Sequence, residues 1–164
     1  MPQTYTPIAS TTLTASTATV TFSSVSSAYT DLVLVTNVKA VTAAAELRIQ
    51  LNSDTGTNYS YTYLSGNGTS ALSSRGSNAS RIPLNSYADA STTFAQTTIS
   101  HIMNYSNATT YKTVISRASN ANNGADAIVG LWRNTSAIST ISVFLASGNM
   151  DTNSTFTLYG ILKA

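Results

Sequence analysis

The stretch NSDTGTNYSYTYLSGNG, residues 52–68, contains a turn, a strand and a second turn, and this pattern decides the fold. Asp54 is suited to an Asx turn, in which its side chain accepts a backbone N–H, and Gly56 tolerates a positive φ. The letters GNG at 66–68 end the strand and predict the second turn. Short strands between turns are typical of antiparallel all-β domains, and the rest of the chain repeats the pattern.

The strand between these turns carries tyrosines at every second position. Tyr59, Tyr61 and Tyr63 therefore project from one face of a pleated strand. Such an aromatic row packs in a sheet core or a subunit interface, or it stacks on sugars or bases. Arg75 and Arg81 follow it and are suited to carbonyl or carboxylate groups of a neighbour, although solvated arginines are equally ordinary. These five residues form the candidate interface or ligand-binding face.

Strand-period alternation extends through the whole chain. It is cleanest at residues 45–51, where Leu47, Ile49 and Leu51 alternate with polar residues. About nine or ten strands are predicted, and no stretch has a convincing helical period. Turn signals recur roughly every 10 to 15 residues, a spacing typical of sandwiches. The sequence therefore predicts an all-β, antiparallel two-sheet sandwich that is jelly-roll-like.

Local features of this sandwich are also predicted. The strand at 45–51 is expected to pair with the tyrosine strand as a hairpin, with the Asp54 turn between them. Residues 65–80 are rich in glycine and serine and are predicted to be a long loop. The apolar residues change phase between Ile99 and Ile102, which predicts a bulge in that strand.

The length of 164 residues predicts one domain. Residues 1–12 are mostly polar and contain Pro2 and Pro7, so we predict an extended N-terminal arm that is either frayed or tied to a neighbouring protein. The sandwich is predicted to occupy residues 13–164. No apolar run approaches the ~20 residues of a membrane span. The first residues have neither the basic nor the apolar region of a secretory signal.

Charge is scarce in this chain. Charged residues make up 9% of it, against roughly 25% in an ordinary soluble domain. Hydroxyl and amide side chains take their place, and these cost less to bury than charges do. The basic residues are scattered, so nucleic-acid binding is not expected. Lys39, Lys112 and Lys163 are too few to protect the open edges of a sandwich, which predicts a homo-oligomer.

No catalytic, cofactor or metal motif is present. His101 is the single histidine, the chain has no cysteine, and no GxSxG elbow occurs. The six acidic residues have no spacing that predicts a catalytic pair. Asn52, Asp54 and Asn58 lack the EF-hand spacing for calcium. We therefore predict a non-enzymatic protein without a cofactor or a metal, the alternative being a secreted carbohydrate-active enzyme.

Three motifs carry a resemblance to a known group of proteins. They are SDTGTNYSYTYLSGNGTSALSSRGSN at 53–78, GLWRNTSAISTISV at 130–143 and STFTLYGI at 154–161. In this combination the chain resembles small virion structural proteins of tailed bacteriophages, from about residue 22 to residue 161.

The resemblance implies a jelly-roll-like module, usually trimeric, that decorates the capsid as a cement protein or forms part of a tail fibre. No long fibre-forming segment precedes the module in this chain, which favours the capsid. The expected function is a homotrimer that is made in the host cytoplasm, binds the outer surface of the major capsid protein shell and stabilises the virion. The alternative is a tail-fibre or tailspike module that recognises host surface polysaccharide.

Overall fold

A computed structural model describes residues 4–162, which form twelve strands in two antiparallel sheets. This part of the chain contains no helix, and so none that could cross a membrane. The prediction of an all-β, two-sheet sandwich is confirmed. The strands are β1 (Tyr5–Thr12), β2 (Thr19–Phe22), β3 (Asp31–Val38), β4 (Leu47–Leu51), β5 (Tyr59–Gly66), β6 (Ala71–Ala79), β7 (Ile82–Pro83), β8 (Gln96–Met103), β9 (Lys112–Asn120), β10 (Gly124–Trp132), β11 (Ile141–Leu145) and β12 (Thr155–Ile161).

The two sheets differ in width. The large sheet has eight strands in the order β1-β12-β3-β8-β9-β10-β5-β6, and the small sheet has four in the order β2-β11-β4-β7. If the β9–β10 hairpin is set aside, β2-β11-β4-β7 faces β3-β8-β5-β6, which is the strand order of a jelly roll. The hairpin widens the large sheet in its middle, and β12 and β1 widen it at one margin.

Alternating apolar residues fill the space between the sheets. Leu47, Ile49 and Leu51 of β4 are fully buried, as their spacing predicted. Each such side chain contributes about 1.5–3 kcal/mol through its transfer out of water. Other strands contribute in the same way, and their large buried side chains include Leu32, Leu34, Tyr59, Ile82, Trp132, Ile141, Phe156 and Leu158.

The hairpin predicted between residues 45–51 and the tyrosine strand is wrong. β4 pairs with β11 and β7 in the small sheet, whereas β5 pairs with β10 and β6 in the large sheet. The buried sides of both strands reach the same core from opposite sheets. Residues 52–58 therefore cross between the sheets, which alternation along each strand does not reveal.

Asp54 fixes this crossing. Its Oδ1 accepts the N–H of Gly56 at 2.8 Å, which is the predicted Asx turn. Its Oδ2 accepts Nε1–H of Trp132 at 2.7 Å and an amide N–H of Asn58 at 2.9 Å. The hydrogen bond from Trp132, opposed by burial, holds the pKa of Asp54 below its usual value. Gly56 itself does not use a positive φ.

The loop predicted at residues 65–80 is mostly a strand. β6 pairs with β5 and forms one edge of the large sheet. Most of its side chains are exposed on both faces, so the strand does not need the apolar alternation by which sequence analysis finds strands. The predicted turn at 66–68 is confirmed, since Gly68 has φ 83° and Asn67 Oδ1 accepts the N–H of Ser70 at 2.7 Å.

The bulge predicted in the next long strand is also absent. β8 pairs with β3 and β9 without a register shift. Ile102 is buried in the core, whereas Ile99, on the opposite face, is largely exposed. The apolar pattern changes phase between Ile99 and Ile102 because this regular strand carries apolar residues on both faces.

Most of the predicted N-terminal arm belongs to the sandwich. β1 pairs with β12 from Tyr5 to Thr12 and forms the second edge of the large sheet. The register shifts between Pro7 and Ala9. Proline lacks an N–H but is tolerated at an edge or a bulge, and this position is both. Residues 1–3 of the predicted arm lie outside the described residues.

Close approach of the two sheets requires a glycine at position 130. A Cβ built on Gly130 would lie 2.4 Å from Cγ2 of the buried Ile82 in the small sheet. We expect Gly130→Ala to lower the free energy of unfolding by about 1–3 kcal/mol, because the two sheets must move apart. Urea unfolding measures the change. The control is Gly66→Ala, since a Cβ on Gly66 meets nothing within 4 Å; equal losses in both variants would contradict the prediction.

Candidate functional site

The tyrosine row occupies the inner side of the large sheet, but only its first member is part of the core. Tyr59 lies opposite Trp132 of β10 and stacks on it, with ring centroids 6.3 Å apart and planes 19° apart. Its hydroxyl accepts the N–H of Leu51 at 3.1 Å. Burial raises the pKa of Tyr59 to about 12. Tyr59 is thus fully buried and cannot bind a ligand or a subunit.

The other two tyrosines are only partly buried. Tyr61 and Tyr63 stack on each other, with ring centroids 6.4 Å apart and planes 16° apart. A Cβ on Gly76 would lie 2.5 Å from Cζ of Tyr61, so the ring of Tyr61 lies directly against β6. These two rings form an aromatic surface at the margin of the large sheet.

The two candidate arginines lie apart. Arg75 is exposed on β6 opposite Thr62, and successive residues of β5 alternate between faces. Arg75 is therefore on the other side of the sheet from Tyr61. Arg81 precedes β7 and donates a hydrogen bond from Nη1 to Ser80 Oγ at 3.0 Å. The structure brings Arg81, but not Arg75, close to the aromatic surface.

Tyr61 and Arg81 line a cavity of about 320 Å³ between β6 and the small sheet, which we call the polar cleft. Arg48 on β4 also lines it and donates from Nε to Glu46 Oε1 at 2.5 Å. The Glu46 carboxylate also lines the cleft and pairs with Arg48, so Arg81 is the guanidinium suited to an anionic group of a polar ligand. Sequence analysis did not identify Glu46 and Arg48 as site residues, because polar residues at alternate positions of a strand indicate only a solvent-exposed face. The remaining lining residues are Thr57, Asn78, Ala79, Ser80 and Pro83.

A second surface, the outer face, is the side of the large sheet turned away from the small sheet. Two rows of residues cross it, each residue opposite its neighbour on the next strand. The first row is Thr62, Val129, Ile115, His101, Val33 and Tyr159. The second row is Leu64, Ala127, Arg117, Ile99, Val35 and Thr157. Leu64 is 63% exposed and Val129 is 50% exposed, so large apolar groups here meet solvent.

His101 lies in the middle of the outer face, between Val33 and Ile115. Apolar neighbours on both sides give it no carboxylate to orient it as a catalytic base. Among residues 4–162, no three His, Asp or Glu side chains are close enough to hold a metal ion. Both carboxylate oxygens of Asp54 already accept hydrogen bonds from the chain itself.

The inner face of the large sheet is partly covered by residues 84–95, which we call the covering loop. Asp126 of β10 is buried and accepts the N–H groups of Ser86 at 2.6 Å and Ala88 at 2.9 Å. Asp89 of the loop accepts a hydrogen bond from the Asn85 amide at 2.7 Å. Burial, with smaller contributions from nearby acidic side chains, raises the pKa of Asp89 to about 6, and the Asn85 bond opposes this shift.

No protein-family model matches this chain, and no curated protein matches it at a significant level.

Asp89 is expected to make stability depend on pH. The unfolded carboxyl titrates near 3.8 and the folded one near 6, so the folded protein binds the proton more tightly. The free energy of unfolding therefore falls as pH rises from about 4 to about 6 and stays lowered above that range. Asp89→Asn should raise it by about 1 kcal/mol at pH 8, after allowance for partial exposure, and leave it unchanged at pH 4.

Urea unfolding at the two pH values measures this effect. Asp151→Asn is the control, because Asp151 forms a surface ion pair with Lys39 at 3.7 Å and should give no gain at pH 8. A loss of stability in Asp89→Asn at pH 8 would show that the charged carboxylate is favourable in the fold, contrary to this prediction.

Proposed function

We propose that this chain is a structural protein of a bacteriophage virion: a homotrimeric capsid decoration protein that binds the outer surface of the major capsid protein shell. The observation that carries the proposal is the outer face, a broad sheet surface on which large apolar side chains remain uncovered in the protomer. Contiguous exposed apolar surface of this kind marks protein–protein contact sites. The resemblance of the three sequence motifs to small phage virion proteins is the reason for proposing a virion as the assembly.

The surface composition supports the same proposal. Charged residues are 9% of the chain, so contacts between copies and with the shell depend little on salt. Each copy buries a modest, hydroxyl-rich area against the shell. Many copies on one particle convert these weak contacts into a stable shell through multivalency. The protein acts by binding alone and needs neither a catalytic residue nor a cofactor.

Removal of the protein from particles tests the proposal. We expect stripped particles to release their genome at a lower temperature than intact ones, because neighbouring capsid subunits lose a bridging contact. Purified protein added back should restore the original release temperature, and electron microscopy should locate it on the shell. If completely stripped particles release their genome at the same temperature as intact ones, the cement role is contradicted.

The polar cleft favours a second candidate, a tail-fibre or tailspike module that recognises host surface polysaccharide. Its partly exposed Tyr61 ring offers a stacking surface for a sugar, and Arg81 offers donors to a carboxylate or phosphate of an acidic polysaccharide. If electron microscopy of labelled protein locates it on the tail instead of the shell, this second function is favoured.

Glycan binding by the cleft can be measured directly on an array of bacterial surface polysaccharides. If this function is correct, Tyr61→Ala should weaken binding at least tenfold, because the stacking surface is lost. Arg75→Ala is the control, since Arg75 lies on the other side of the sheet from Tyr61. Wild-type protein that retains no glycan would exclude the second candidate.

A further inference from the structure

The outer face is unusual for the exposed side of a sheet. A solvated sheet face normally carries polar residues between the buried apolar ones. Here Leu64, Val129, Ile115 and Ile99 are 63%, 50%, 42% and 38% exposed and lie on four neighbouring strands. None of the residues in the two rows is acidic. This face therefore has the residue composition of a covered surface.

Its size fits a stable protein interface. Strands lie about 4.8 Å apart and rise about 3.4 Å per residue, so eight strands of about eight residues cover roughly 900 Å². Each partner of a standard protein interface buries ~800 Å². A small ligand would cover only a fraction of this area, which leaves a flat protein surface as the matching occupant.

The outer face also contains two depressions into which partner side chains can pack. Arg117 stands between two depressions, one of about 310 Å³ beside Tyr5 and Tyr159, the other of about 830 Å³ beside Leu64 and Ala125. Both are lined mainly by apolar groups. Side chains that project from a partner would fill them and exclude water from around the guanidinium.

We propose that the outer face binds a second copy of this chain. The proposal rests on the homotrimer of the proposed function and names the surface that holds it together, but it does not depend on capsid binding. A sister chain supplies a matching apolar surface at the concentration at which the protein itself is made, and in a trimer each copy contacts the next one head to tail. It also supplies charge complementarity, as Asp31 lies on the outer side of β3 near the margin of the face.

Charge complementarity matters because Arg117 forms no ion pair within residues 4–162. Asp31 has a backbone hydrogen bond, from the N–H of Asn104 at 2.5 Å, but likewise no cationic partner in that range. An Arg117–Asp31 contact between copies would satisfy both groups in a water-poor interface. A flat apolar partner without a carboxylate would leave the guanidinium buried and unpaired.

Sedimentation at micromolar concentration tests this surface. The wild-type protein should sediment at three times the 17.2 kDa of the protomer. Val129→Arg should raise the dissociation constant of the oligomer at least tenfold, because it places a charge among the apolar residues of the outer face. Val41→Arg is the matched control, because Val41 is 42% exposed but lies in the loop after β3. Circular dichroism confirms that both variants are folded.

A second measurement uses the absence of native cysteine. Ile115→Cys should react slowly with a maleimide in the oligomer, and Val41→Cys should react fast, because only the first is covered by a sister chain. A monomeric wild-type protein, or equal reactivity at the two cysteines, would overturn the inference. Dissociation by Val41→Arg but not by Val129→Arg would also overturn it. An oligomer with these properties that fails to bind capsids would instead sink the capsid role and leave the inference standing.

Discussion

The four-stranded sheet cannot cover the inner face of the eight-stranded one, and most of the distinctive features of the molecule follow from this mismatch. Where the sheets overlap, the core is apolar and closely packed, with Gly130 directly against Ile82. Beyond the overlap, the covering loop closes one part of the large sheet. At the β6 margin no element within residues 4–162 covers the sheet in this way, so Tyr61 and Tyr63 are partly exposed and the polar cleft lies beside them.

Two of the six acidic groups of the chain hold this arrangement together. Asp54 binds Trp132 where the chain crosses between sheets, and Asp126 anchors the covering loop through backbone N–H groups. Even Lys112 points inward: it is fully buried, its Nζ donates to the carbonyl of Thr110 at 2.6 Å, and burial lowers its pKa. Lys112 therefore cannot protect a sheet edge.

A surface of this kind is better suited to permanent contact than to diffusion as a free protomer. Hydroxyl-rich surface stays hydrated yet is inexpensive to bury, and apolar strand faces gain free energy when they are covered. The polar cleft and the outer face lie on opposite sides of the large sheet, so an oligomer built on the outer face would keep the cleft open. Contact between copies through the outer face and glycan binding in the polar cleft would thus use different surfaces of the same sandwich.

The sequence alone determined the fold class, the inward positions of Leu47, Ile49 and Leu51 and the turns around the tyrosine strand, because alternation and turn chemistry are local properties of a chain. It could not determine which strands pair, since strands that share a core look alike whether they lie side by side or in opposite sheets. It also could not find β6, whose exposed faces remove the alternation. Only the tertiary structure decided that Tyr59 is buried, that Arg81 and not Arg75 lies beside Tyr61, and that isolated apolar residues form one outer face, because each depends on contacts between residues distant in the chain.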